Sequence, residues 1–319
     1  MTAVLTATAF LGLLLAATTA VRGWAGLRYT TLQPAAAWLV AAVAVCLLVV
    51  APEQAAGWLT PELRDQLSLL TVILLLCPPV YGLGARRPVN RVWPWFVLGP
   101  MMFVLGLPAL TLWQNGRPTE LLRLEAPALL GPALVTIMSC GNWLGTRFTL
   151  AAVAYAAAIG LLTASVADHP PQLLEDRHLV RLWAALCLGA AALLARRAGK
   201  RSVDSLQPRD RLWQDFRDTF GMVWARRMMD RVNHTARAQR WPVRLGLDGF
   251  TPANEQQTAD RSTAAARSTE PDSQETTAAI DYTLGWLLRR FVDEGWISQR
   301  CPELLDRAKS AAAAPPPTD

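Results

Sequence analysis

The sequence predicts an all-α membrane protein with about seven transmembrane helices followed by a small, mostly helical cytoplasmic C-terminal module. Three observations carry this prediction. Residues 1 to 195 contain repeated uncharged stretches of about 16 to 20 residues, the length of helix that crosses a hydrocarbon core of about 30 Å. The loops between them carry arginine in an alternating excess. After residue 195 the chain turns charged and amphipathic, although the 319 residues as a whole are 52% hydrophobic with a mean hydropathy of +0.21.

The apolar stretches fall at about 3–21, 34–51, 67–84, 95–113, 127–144, 148–167 and 180–195, and together they define a transmembrane domain over 1–195. The first has no positive residue before its apolar run, so it reads as a retained helix rather than a secretory signal. Between the fifth and sixth only "GTR" at 145–147 intervenes, which predicts a tight antiparallel hairpin, with one long bent helix as the competing reading. Pro78 and Pro79 are expected to bend or end the third helix, and Pro100, Pro108 and Pro132 to kink the fourth and fifth.

Orientation follows from the arginines. The loops after the first, third and fifth stretches, with the residues just after the seventh, hold Arg22, Arg28, Arg86, Arg87, Arg91, Arg147, Arg196, Arg197, Lys200 and Arg201. The opposite loops hold half as many: Arg64, Arg117, Arg123, Arg177 and Arg181. Positive residues favour the cytoplasmic side, so the N-terminus is expected outside and the C-terminus inside. Arg86, Arg87, Arg91, Arg196 and Arg197 are the chief topology anchors of this reading.

Residues 196–250 read as a basic juxtamembrane amphipathic helix and a short strand, 251–277 as a disordered linker, 278–305 as a second amphipathic helix and 306–319 as a disordered tail. In the first helix Leu212, Trp213, Phe216, Phe220, Val223 and Trp224 share a face, with Gln214, Asp215, Asp218 and Gly221 turned away. Ile280, Leu284, Leu287, Leu288 and Phe291 share a face of the second. Trp213, Phe216, Phe220, Trp224, Leu284, Leu288 and Phe291 are therefore expected either to meet the membrane surface or a partner, or to pack together as a folded module. Val243, Leu245 and Leu247 alternate with polar residues before an Asp-Gly turn, as in a strand or hairpin arm.

Motifs for chemistry are sparse. Cys46, Cys77, Cys140, Cys187 and Cys301 lie far apart with no CxxC pair and read as packing residues. The loop "DHPPQLLEDRHLVR" brings Asp168, His169, Glu175, Asp176 and His178 close in sequence, in a spacing that matches no ligand motif. No catalytic residue, cofactor-binding residue or metal ligand is assigned, and no cofactor is expected. No charged residue falls in the middle of a span, which argues against a proton relay through the membrane. Transport of a neutral or weakly polar solute along the proline-broken spans three to five stays open, as does an outward-facing enzyme built on residues 168–178.

The runs "PPVYGLGARRPVNRVWPW" and "DRLWQDFRDTFGMVWARRMMDRVN" resemble uncharacterised multi-pass membrane proteins of planctomycete-type bacteria, which share a proline pair, a basic Arg-Pro turn and a tryptophan-rich juxtamembrane helix. The resemblance implies a bacterial cytoplasmic (inner) membrane and carries no activity. The expected role is a non-enzymatic interaction or assembly component that recruits a cytoplasmic protein partner through its C-terminal module. The bilayer and anionic inner-leaflet lipids are its other expected partners, and nucleic acid is not expected.

Overall fold

The computed structural model describes residues 2–51, 57–200, 207–253 and 271–304. The chain divides into two compact units, Met1–Ser202 and Val203–Asp319. The first is a bundle of apolar helices: α1 (Thr2–Gly26), α2 (Gln33–Val49), α3 (Pro61–Leu83), α4 (Val89–Trp93), α5 (Gly99–Gln114), α6 (Ala126–Cys140), α7 (Thr149–Ala164) and α8 (Arg177–Gly199). A π-helical turn, Pro94–Leu98, joins α4 to α5. Pro94 and Pro100 bracket this turn, and a widened turn is one way in which a helix absorbs missing N–H donors.

Each of the seven expected stretches is helical, yet the count of seven membrane-length spans is not supported. Among the described residues four helices are long and apolar enough to cross a membrane: Ala3–Gly26, Pro61–Leu83, Val89–Gln114 and Arg177–Gly199. The 17 residues of α2, 15 of α6 and 16 of α7 fall short, since even 17 residues make only about 26 Å of helix.

The helices nevertheless alternate in direction. Carbonyls at the end of α2, Val49 and Ala51, accept from Arg64 in the first turn of α3. Gln66 of α3 donates to Pro118 and accepts from Trp113 near the end of α5. Before α6 and after α7, Leu124 and Ala167 form a bridge, and Arg123 pairs with Asp168. Arg177 and Arg181 at the start of α8 reach Asp65 of α3. The ends of α2, α5 and α7 thus meet the beginnings of α3, α6 and α8 at one end of the bundle. The topology anchors lie at the other, with Arg86, Arg87, Arg91 and Arg197 exposed and Arg196 half-buried.

Small residues let the bundle close. A Cβ on Gly189 of α8 would lie 2.6 Å from the Gly12 Cα of α1, so only glycine fits this crossing. Pro78 and Pro79 do not end α3, which continues to Leu83. A proline at 79 leaves the Leu75 carbonyl without its helical donor; the Tyr155 hydroxyl of α7 supplies one at 2.7 Å. The 145–147 connection is a true turn between separate, mutually packed helices. Gly145 adopts φ +84° and its N–H donates to Thr149 Oγ1 at 3.0 Å.

The second unit contains α9 (Pro208–Phe220), α10 (Met222–Ala238), a hairpin of β1 (Val243–Leu245) with β2 (Phe250–Pro252), α11 (Pro271–Leu288) and α12 (Glu294–Ser298). The single amphipathic helix expected over this stretch breaks at Gly221, whose φ of +81° and ψ of 178° are accessible almost only to glycine. The expected linker 251–277 is shorter than its composition implied. Its first residues belong to β2, and α11 already begins at Pro271. The rest of that linker, 254–270, and the tail 306–319 lie outside the described residues.

Candidate functional site

The polar feature that stands out in the membrane unit is the end where these helix termini converge. Two start signals build it. Thr60 caps α3 by accepting from the Leu63 N–H at 3.3 Å, with Pro61 in the first helical position. Asp176 caps α8 by accepting from the Leu179 N–H at 3.0 Å. Both helices therefore start before the apolar runs at 67 and 180, and their first turns carry Arg64 with Asp65 and Arg177 with Arg181.

Asp65 is buried and takes both arginines of α8, Arg177 at 2.5 Å through Oδ2 and Arg181 through Oδ1. Arg64 is also buried, at 7% exposure, and its Nη1 donates to the Val49 and Ala51 carbonyls. Two guanidinium groups thus share one carboxylate, and a third is held by backbone carbonyls. Two of their nitrogens, Arg64 Nη2 and Arg181 Nε, are buried without an acceptor. Beside them lies a cavity of about 800 Å³ whose lining includes Thr60, Leu121, Arg123, Glu175 and His178.

The 168–178 loop does not gather its polar residues into one centre. Asp168 pairs with Arg123 at 3.3 Å and with His169 at 2.9 Å, and His169 is almost fully exposed. Asp176 is occupied as a cap and, with Glu175 and His178, lines the cavity. Among the described residues no group of three or more His, Cys, Asp or Glu side chains could hold a metal ion.

In the C-terminal unit the expected membrane or partner face is spent inside the fold. Trp213, Phe216, Phe220, Leu284 and Leu288 are fully buried, and Trp224 and Phe291 nearly so. Phe291 meets Phe216, Phe220 and Trp224 with ring centroids 5.2, 5.3 and 5.0 Å apart. The physical reason is that α9, α10 and α11 each have one apolar face, and turning these faces together removes all three from water. Val223 does not join them and is exposed, whereas Asp218, expected to face outward, is buried and pairs with Arg217 at 3.1 Å. Trp213 Nε1 donates to the Gly246 carbonyl at 2.9 Å, and the Asn233 amide both donates to and accepts from Leu245, so the hairpin is held by side chains of α9 and α10.

With that face buried, the surface of α10 is basic. Arg226, Arg227, Arg231 and Arg237 are exposed along it, as are Arg240 and Arg244 just beyond, against a single exposed carboxylate, Asp230.

Comparison with known proteins places no neighbour beside this arrangement: no family model, curated protein or solved structure matches the chain.

Proposed function

We propose that the protein is a non-enzymatic interaction component of a bacterial cytoplasmic membrane. Its seven apolar helices cross the bilayer with the N-terminus outside, and its C-terminal module recruits a partner on the cytoplasmic side. The observation that carries this reading is the exposed arginine face of α10 on a unit whose own aromatic residues are already used as core. A module that needs no membrane to hide its apolar face is free to offer a charged one, suited to an acidic protein partner and to anionic inner-leaflet headgroups.

The seven crossings and their orientation rest on the alternating helix ends and on the arginine excess opposite the Asp65 cluster. The three shorter helices would cross with local thinning of the bilayer. The bacterial setting rests on the resemblance of 78–95 and 210–233 to planctomycete-type membrane proteins.

The test is affinity capture of the full chain from mild detergent, beside a full-length variant carrying Arg226→Glu, Arg231→Glu and Arg237→Glu. A partner that accompanies the first and is lost from the second is the expected result. An identical set of captured proteins would remove the recruiting role from α10.

The two competing readings gain little from the geometry. A permease needs backbone groups laid open at its helix breaks, and at Pro79 the Leu75 carbonyl is taken by Tyr155. An enzyme on the 168–178 loop needs its polar groups assembled, and the Asp168–His169 pair is engaged with Arg123 while Asp176 caps α8.

A further inference from the structure

We infer that the cavity beside Arg64, Asp65, Arg177 and Arg181 binds a ligand carrying a phosphate-type oxyanion. The inference does not depend on the recruiting role of the C-terminal module, nor on which end of the bundle faces outward.

Charge is the first ground. Arg64 and Arg181 are 7% and 5% exposed, and the Arg177 side chain is 24% exposed; Asp65 pairs with Arg177 and Arg181, while Arg64 is held by backbone carbonyls. Buried charge is ordinarily paired, and here Arg177 and Arg181 divide one carboxylate while Arg64 forms no ion pair among the described residues. Hydrogen bonding is the second ground. Arg64 Nη2 and Arg181 Nε have no acceptor, and a buried donor left unmet carries a real desolvation cost. An entering oxyanion offers acceptors where these side chains lack them.

The third ground is the backbone. The cavity is lined by Pro61 at the start of α3 and by Arg177 and His178 at the start of α8, so two helix N-termini add partial positive charge at the same place. The planar fork of arginine matches phosphate oxygens in pairs, which favours this ligand class over a neutral solute. At about 800 Å³ the space exceeds a bare phosphate ion and accommodates a small organic group attached to it. Glu175 and Asp176 also line it. With Arg64, Arg123, Arg177 and Arg181 against Asp65, Glu175 and Asp176, four positive charges meet three negative ones, which suits an anion of low charge. A cavity at the end of membrane helices is open to two sources of this chemistry, a dissolved phosphate compound and the headgroup of an anionic phospholipid.

The experiment uses the full chain in a neutral maltoside detergent. Equilibrium dialysis with inorganic phosphate and with glycerol phosphate, and glycerol as the uncharged control, measures the dissolved source. Native mass spectrometry of the chain extracted from vesicles of phosphatidylcholine with and without phosphatidylglycerol measures the lipid source. The expected result is saturable binding in at least one arm, weakened tenfold or more by Arg177→Gln and unchanged by Arg117→Gln. Arg117 is an exposed arginine paired with Glu120 and is no part of the cavity lining. Arg177 is partly exposed, so its loss leaves the buried pair of Asp65 with Arg181 in place to hold the fold. Absence of saturable binding in both arms would overturn the inference, and so would equal weakening by the two variants.

Discussion

At the scale of single residues, this membrane unit is held by polar groups that answer one another across long stretches of sequence. Asp65 draws Arg177 and Arg181 to itself from more than a hundred residues away, and Tyr155 completes the carbonyl that Pro79 strands. Removing one member of a buried ionic group leaves the others uncompensated. Asp65→Asn is expected to cost about 3 to 5 kcal/mol and to lower the thermal unfolding temperature of the detergent-solubilised chain. Glu120→Gln, which breaks the exposed pair with Arg117, is expected to change stability by less than about 1 kcal/mol. Tyr155→Phe keeps the ring and deletes only the donor to Leu75, so its expected cost is about 1 to 3 kcal/mol in the same assay. None of these partnerships is legible in a single sequence. Arg64, Asp65, Arg177 and Arg181 read as loop charges because they precede the apolar runs or, for Arg181, stand at the very edge of one, and only the caps at Thr60 and Asp176 hint that the helices start sooner.

At the scale of elements, uncharged apolar runs located the helices of the bundle other than the short α4, because an uncharged run in a membrane chain has few other ways to satisfy its backbone. Breaks were harder to read. Gly221 sits inside a continuous amphipathic pattern and splits it, since the α9 and α10 faces can turn toward the same core only if the chain bends there. Gly221→Ala is expected to destabilise the C-terminal unit by about 1 to 3 kcal/mol, read as a lower unfolding temperature. A proline pair that looked like a helix end is instead absorbed, since its missing donor is supplied from α7. Gly12 and Gly189 set the approach of α1 to α8, and Gly189→Leu is expected to force those helices apart and to lower the yield of folded protein in size-exclusion chromatography. The aromatic residues of α9 and α10 carried two readings, membrane face or module core. Helical spacing alone cannot separate them, because both need the same stripe; the apolar residues of α11 and Phe291 just after it are what close the core.

At the scale of the whole molecule, one arrangement links the proposals. The Asp65 cluster and its cavity occupy one end of the bundle, and the arginine-rich loops belong to the other. The arginine asymmetry expressed this in the sequence, because loop charge governs insertion before any tertiary contact forms. Helix length was less legible, and three of the seven helices are shorter than a typical span. Labelling of intact cells with a membrane-impermeant maleimide tests the arrangement directly, since the five native cysteines are buried or half-buried. Asn115→Cys, exposed near the cavity end, and Arg197→Cys, exposed at the opposite end, are the two probes. The account predicts that Asn115→Cys labels in intact cells and Arg197→Cys only after the membrane is opened; labelling of both in intact cells, or the reverse order, would contradict it.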